Sequence, residues 1–478
     1  MGKPLRIGLA LSGGGVRAAG FHLGVLQRLA VAGRLEEVEV ISTVSGGSIC
    51  IGLVYSHNNM KWPSSSEFLE AVLPEVFNAL SARSLQAEVV FRVVLQVLLW
   101  LTLVAPLWRL LSYPFLFFGR RFLPPSWPHS RALANLGRFP SRTAVLSDVL
   151  RTRWGVTGPL AAVSRAGTVV EPTASADDTA TAVKTTEVKV VEWIINATCY
   201  ETGKSWRFEP CYRTPERGWP LAPFTGRMGD YQFGYTRLDS FLLSDALAAS
   251  AGFPFLIGPL VIEADVANRE WYEYETKYDE AGCRLGRVPK PLPQPRHKKA
   301  HLWDGGVYDN MGLESLFRIS EKWQHHVDFL IASDVSGMSR EEDFSLLKTP
   351  SRLTAGIMMN QIRALRSRSF INRCKNRWDG NRGALLRIGK TCKELLSETL
   401  HCSEIPVVSQ HYLTQEDVLK VSQLGTTLKR LKKDTLSSLI RHGFETADCV
   451  LYGYNDDLFD LLKHAPVVMN MPKDPRSD

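Results

Sequence analysis

Residues 4–55 read PLRIGLALSGGGVRAAGFHLGVLQRLAVAGRLEEVEVISTVSGGSICIGLVY, and this stretch decides the fold. Leu5, Ile7, Leu9 and Leu11 alternate with other residues, the period of a strand, and the strand stops at three glycines. A helical pattern follows, with Phe21, Val25, Leu26 and Leu29 on one face and Gly33 placed to end it. Val38 to Val44 is almost wholly apolar, as a central strand of a parallel sheet covered on both faces must be. Gly46 to Tyr55 then reads as a second helix. Strand, helix, strand, helix predicts a doubly wound α/β sheet.

The composition suits that class. The chain has 478 residues, 45% apolar and 22% charged, which excludes a collagen, a wholly disordered chain and a polytopic transporter. The length fits about three domains or one elaborated core. Eight cysteines, at 50, 199, 211, 283, 374, 392, 402 and 449, are too sparse for a disulfide scaffold. None forms a CxxC pair, so structural zinc is not expected and a reducing compartment is the default. No HExxH occurs. The net charge of +8 favours partners with negative surfaces, and with no nucleic-acid signature present, anionic lipid is preferred to nucleic acid. The N-terminal MGKPLRIGLALSGGG lacks a signal-peptide pattern, and Arg6 stands where myristoylation needs Ser or Thr, so the expected location is cytoplasmic.

Further along, sixteen uncharged residues lie between Arg92 and Arg109, then LLSYPFLFF. A span needs about 20 apolar residues, and Gln96 and Pro106 interrupt this one. Flanking arginines and Trp100, Trp108 and Tyr113 suit an interface. Residues 89–118 therefore read either as a membrane-embedded or interfacial insertion, or as a buried helix pair or lid. Residues 164–186 are rich in Ala, Thr and Ser and read as a mobile loop. Strand character returns at 187–200, 300–306 and 329–333. From about 350 the chain reads as mainly helical and basic, with seven Lys or Arg and one acid from Arg363 through Arg382. Such a run is a solvated face or a contact for anionic lipid.

Three motifs carry chemistry. Gly13-Gly14-Gly15-Val16-Arg17, between strand and helix, can turn backbone N–H groups toward an anion at a helix N-terminus. A P-loop would need GK[ST] after the glycines, which is missing. A dinucleotide fingerprint is formally met by Gly13, Gly15 and Ala18, but no acid closes the second strand to hold a ribose. An oxyanion hole is the third reading. Thr43-Val44-Ser45-Gly46-Gly47 has the placing of a nucleophile elbow, with Thr43 where the G-x-S-x-G consensus has its first glycine; the alternative is a helix N-cap and turn. Asp304-Gly305-Gly306 ends a short apolar strand, where open α/β sheets bind ligands, or is a simple β-turn.

In this order the three blocks resemble the patatin-like phospholipase family. Its signatures are a G-G-G-x-[RK] oxyanion loop, a G-x-S-x-G nucleophile and a D-G-[GA] aspartate. Ser250-Ala251-Gly252-Phe253-Pro254 is similar to the family's segment between nucleophile and aspartate. The resemblance covers about residues 5–335 and implies a three-layer α/β/α fold with a mainly parallel sheet. On that reading residues 1–345 form the catalytic domain, with an apolar insertion over 85–130, and 346–478 pack on it as a helical, basic region. Two departures are Thr43, a possible source of strain at the elbow, and Ala18, where many members carry glycine.

The resemblance also implies a Ser–Asp dyad that needs no histidine. Ser45 would attack an ester carbonyl, Asp304 would take its proton, and the Gly13, Gly14 and Gly15 amides would hold the oxyanion. A free Asp is a poor base at neutral pH, so the site has to raise its pKa or stabilise the alkoxide. Arg17 positions the loop, meets a lipid phosphate or forms a salt bridge. Of the eleven histidines, His22 lies on the first helix and His301 is the candidate third member to test. The expected activity is lipid acyl hydrolysis of phospholipid or lysophospholipid at a membrane surface, with no cofactor or metal. Transacylation with the same dyad, and a non-catalytic membrane-binding module favoured only by Thr43, are the alternatives.

Overall fold

The computed structural model describes residues 5–99, 102, 141–165, 168–171, 184–187, 191–211, 226–238, 241–254, 257–265, 269–278, 284–317, 327–337, 344, 349, 352–375, 382–399 and 412–462. Among them, twelve strands form one sheet. In chain order these are β1 (Ile7–Leu11), β2 (Val38–Val44), β3 (Glu192–Cys199), β4 (Lys204–Glu209), β5 (Arg227–Asp230), β6 (Gly234–Arg237), β7 (Leu260–Glu263), β8 (Trp271–Tyr278), β9 (Arg284–Leu292), β10 (Lys299–Asp304), β11 (Phe329–Asp334) and β12 (Arg382–Arg387).

The centre is parallel, in the order β3-β2-β1-β11-β12. Every residue of β1 and β11 is buried, as central parallel strands covered on both faces must be. Beyond β3 the sheet continues as an antiparallel meander through β4, β5, β6, β8 and β9. The α/β class is as the sequence predicts, whereas the antiparallel wing adds an extension that the sequence analysis does not describe.

Helices cover both faces. The main ones are α1 (Gly15–Val31), α2 (Gly46–Ser56), α3 (Leu85–Leu99), α4 (Arg142–Trp154), α5 (Leu243–Ser250), α6 (Met359–Lys375) and α7 (Lys433–Asn455). Ile7, Leu9 and Leu11 point into a core shared with α1, α2 and α7, while Ala10, Val40, Leu330 and Ala332 point into a second core with Phe317 and Phe370. This alternation is the three-layer arrangement seen from one strand.

The C-terminal region is not a separate layer added to a finished domain. β12 is an edge strand of the parallel sheet, and α7 lies along α1. Helix contact is close because both sides use glycine: a Cβ at Gly24 would sit 1.9 Å from the Ile440 carbonyl oxygen, and one at Gly443 would sit 2.0 Å from that of Phe21. A buried Arg28–Asp448 ion pair at 2.5 Å joins the same two helices. The expected boundary at 345 therefore cuts through the sheet. The reason it is hard to see is that β12 is a six-residue strand embedded in a basic stretch.

Two further expectations change. Within the expected loop 164–186, Thr168–Glu171 pairs antiparallel with Lys184–Glu187; residues 172–183 lie outside the described residues. Cys392 and Cys449 are bonded, with Cα atoms 5.8 Å apart, which the default of a reducing compartment does not anticipate. Their separation of 57 residues matches no spacing motif. Of the apolar segment, α3 is described to Leu99 and residue 102 beyond it, and 103–118 lies outside the described residues. No helix among the described residues is long and apolar enough to cross a membrane.

Candidate active site

The site is built by a meeting of strand ends. Along one edge of β3, Val44 of β2 pairs in parallel with Asn196, and Asp304 of β10 pairs antiparallel with the next residue, Ala197. β2 and β10 therefore run toward each other along the same edge and stop one rung apart. Ser45 follows the end of one and Asp304 closes the other, so two distant stretches of sequence become neighbours through backbone pairing.

Ser45 sits at φ 49°, ψ −113°, one of three non-glycine residues with positive φ among the described residues. This is the strained turn of an elbow, and such strain persists only where the surroundings enforce it. The enforcement is visible. The Ser45 N–H donates to Ser250 Oγ at 3.0 Å, and that hydroxyl donates to the Asn196 carbonyl at 2.7 Å. Ser48 Oγ lies 2.8 Å from Ser250 Oγ and donates to Thr43 Oγ1 at 2.9 Å. The backbone of the same segment holds the partner: Asp304 N–H donates to Gly252 O and Gly305 N–H to Ser250 O. Ser250 thus ties both strand ends together, a role that its resemblance-based assignment leaves unstated.

Thr43 does not strain the elbow. It is buried in β2, its Oγ1 accepts from Trp193 Nε1–H at 3.0 Å and from Ser48, and the positive φ falls on Ser45 instead. The one sequence feature favouring an inactive module is thereby accounted for as a satisfied buried hydroxyl. Gly46 is constrained far more tightly. A Cβ there would lie 2.2 Å from Gly15 O and 2.8 Å from Gly15 N. Gly46→Ala is accordingly expected to push the glycine loop away from the elbow and cost about 1–3 kcal/mol, seen as a lowered melting temperature. An unchanged melting temperature would mean the two loops are not in this contact.

Asp304 is buried, its carboxylate accepts from Gly306 N–H at 2.7 Å, and the Ser45 hydroxyl on the facing strand end acts to lower its pKa. Burial raises its pKa from 3.8 to about 7, against the lowering effect of those two groups. A carboxyl that would be a weak base in water is so brought near neutrality.

The glycine loop borders the same space. Gly14 and Gly15 have φ of 147° and 63°, values open to glycine. The Gly13 N–H is already donated to Asn310 O at 2.9 Å, so Gly13 does not supply a free amide as expected. Among the described residues, no partner is bonded to the Gly14 or Gly15 N–H, at the positive end of α1. Arg17 is buried, with its guanidinium on the carbonyls of Leu424 and Val335 (2.9 Å from the latter) and on Thr426 Oγ1 at 3.4 Å. Of the three readings, positioning fits: Arg17 ties the loop to the C-terminal segment. Thr427 O accepts from Val16 N–H at 2.9 Å in the same tie.

Neither histidine joins the dyad. His301 is three residues before Asp304 on an alternating strand, so it faces the other way and pairs with Glu201. His22 is buried between Ser12 O and Ser333 Oγ, and burial lowers its pKa to about 4. No cluster of metal-ligand type occurs among the described residues.

Ser45, Asp304, Gly14 and Gly15 open onto one cavity of about 370 Å³. Residues 9–207 match the model of the patatin-like phospholipase family. This stretch is similar to a patatin-like phospholipase domain. It includes the glycine loop and the elbow, while Asp304 lies beyond it. No curated protein matches the chain significantly. Among solved structures, human GIVD cytosolic phospholipase A2 matches at 13% identity and a TM-score of 0.43, over 93% of this chain and 58% of that one. The same human protein in complex with methyl gamma-linolenyl fluorophosphonate and terbium chloride matches at 12% identity and 0.42, over 93% and 57%. VipD from Legionella pneumophila matches at 11% and 0.29, over 91% and 67%. The chain thus spans under three fifths of the length of the human structures.

Proposed function

We propose that this protein is a serine lipid acyl hydrolase that cleaves acyl esters of membrane lipids. Ser45 Oγ attacks the ester carbonyl carbon as its proton moves to Asp304. The Gly14 and Gly15 amides stabilise the oxyanion; one such donor is typically worth about 10²–10³ in rate. Collapse breaks the carbon–oxygen bond to the alcohol, which leaves with the proton held by Asp304. Water then attacks the acyl-serine, Asp304 takes its proton, and collapse returns that proton to Ser45 as the fatty acid departs. The observation that carries this reading is the pairing that brings a strained, cavity-lining serine and a buried carboxyl to strand ends one rung apart on the same cavity. The test is incubation with defined lipid vesicles and identification of the products: released fatty acid supports it, and intact lipid with wild-type protein overturns it.

Action at a membrane surface is part of the proposal. One face of α3 exposes Val90, Phe91, Val94, Leu95, Leu98 and Leu99, with Phe91 64% exposed. Lys429 and Arg430 border that face, a pairing of apolar and basic groups suited to anionic bilayers. Beside the cavity, Leu353, Ile357, Met358, Ile362 and Leu365 are also exposed. Burying two such side chains is worth roughly 3–6 kcal/mol. Phe91→Glu with Leu95→Glu is therefore expected to reduce co-sedimentation with anionic vesicles at least about tenfold; unchanged co-sedimentation would remove α3 as a docking element.

A further inference from the structure

We propose that His22 is a positioning residue for the oxyanion hole: its ring fixes the Ser12–Gly13 peptide plane and, through it, the direction of the Gly14 and Gly15 amides. The inference rests on the acyl-hydrolase reading and deepens it, by naming what holds the oxyanion donors in place.

Three glycines in a row are a poor way to aim a hydrogen-bond donor. Each brings two soft torsions and no Cβ to restrict them, and Gly14 and Gly15 stand at φ 147° and 63°. Backbone this permissive keeps one shape only where its ends are tied, and here both ends are. On the strand side, Ser12 is bonded at each polar atom. Its N–H donates to Ser333 O at 3.1 Å, its Oγ accepts from Val335 N–H at 2.8 Å, and its carbonyl oxygen meets His22 Nε2 at 3.0 Å. The other half of that peptide, the Gly13 N–H, donates to Asn310 O at 2.9 Å. The Ser12–Gly13 plane is therefore gripped at both its oxygen and its hydrogen. On the helix side, the Gly15–Val16 plane is gripped through Val16 N–H by Thr427 O at 2.9 Å. Between these two lie the planes that carry the Gly14 and Gly15 N–H groups, in the part of the loop that lines the cavity.

Of the three grips, Asn310 and Thr427 act through backbone carbonyls, and His22 acts through a side chain. Its chemistry suits the task. Ser12 O can only accept, so Nε2 carries a hydrogen. Burial keeps the ring neutral, which leaves Nδ1 to accept from the Ser333 hydroxyl at 3.1 Å. Ser333 thus selects the tautomer that Ser12 needs. The ring sits about two turns along α1 from Gly15, so the helix that the loop opens reaches back to hold the loop's entry.

The test separates transition-state from ground-state binding. An alkyl trifluoromethyl ketone adds Ser45 Oγ to its carbonyl carbon, with the hydroxyl proton passing to Asp304, and so presents a tetrahedral oxyanion. The alcohol of the same chain fills the cavity without one. His22→Met, similar in length and lacking a donor, is expected to lower kcat on a soluble short-chain ester and the ketone's affinity together by about 10–100-fold. The KM for that ester and the affinity for the alcohol are expected to stay unchanged. His22→Gln places an amide N–H near the position of Nε2–H and is expected to keep most of both. Ser333→Ala is the smaller change to read if His22→Met does not fold; by releasing the tautomer it is expected to weaken the ketone by about 3–10-fold. Unchanged ketone affinity in the folded variants overturns the inference. Equal losses in His22→Gln and His22→Met, or a loss shared by the alcohol, also overturn it, because each marks His22 as packing alone. Wild type that neither cleaves the ester nor binds the ketone above the alcohol overturns the acyl-hydrolase reading instead, so the two failures are distinct.

Discussion

Ser45→Ala is expected to lose ester hydrolysis by at least about 10⁴-fold and to lose all labelling by an ester-reactive fluorophosphonate. The scale follows from nucleophile removal in enzymes whose catalytic residues act as a unit, where the remaining rate comes from the oxyanion donors and binding alone. The buried Asp304 carboxyl keeps the Gly306 amide as a donor in this variant. The backbone gives an independent check. At φ 49° a side chain is strained whatever its chemistry, so Ser45→Gly is expected to be inactive yet more stable than Ser45→Ala by about 1 kcal/mol. Equal labelling of wild type and Ser45→Ala would show that another residue is the nucleophile. Equal stability of the two variants would show that the turn is not strained as described.

The second large effect concerns Asp304→Asn, expected to cut kcat/KM on the order of 10³-fold or more, since an amide cannot take the Ser45 proton. In wild type, kcat/KM is expected to rise about tenfold per pH unit in acid and level off above about 7, where the carboxyl ionises. That limb should vanish in the variant. Stability should move the other way. The folded-state pKa of Asp304 is raised above its ordinary 3.8, so the folded protein holds this proton more tightly than the unfolded chain. The resulting stabilisation is fully present below about 3.8 and is lost as pH rises through about 7. Asparagine has no such loss, so the melting temperature of Asp304→Asn relative to wild type is expected to climb between pH 4 and pH 8. A flat difference would mean the carboxyl titrates at its ordinary value.

Much of this site was legible in the chain because its parts carry local signatures. Three glycines between a strand and a helix, a serine before two glycines at a strand's end, and an aspartate before two more each demand particular backbone geometry. Contacts made by unremarkable residues were not legible. Asn310 takes the Gly13 amide, which removes it from the expected oxyanion set, and no motif announces that a carbonyl will arrive there. Thr427 meets Val16 from more than four hundred positions away. Thr43 looked like a defect because the consensus records the residue and not its neighbours, Trp193 and Ser48. The edge strand β12 was hidden for a related reason, since six residues of weak alternation inside a basic run give little period to read.

The end-to-end arrangement of β2 and β10 on β3 has an evolutionary consequence. The gap between Ser45 and Asp304 is gauged by a single peptide unit of a third strand, Asn196 to Ala197, and by the Ser250 segment that ties both strand ends, and not by the rest of the long interval of chain between them. Loops, hairpins and whole subdomains can be spliced into that interval, or trimmed from it, without recalibrating the chemistry. A lineage built on this gauge is free to diversify its surroundings, while the short run of β3 that acts as the ruler and the turn after Ser250 must keep their lengths.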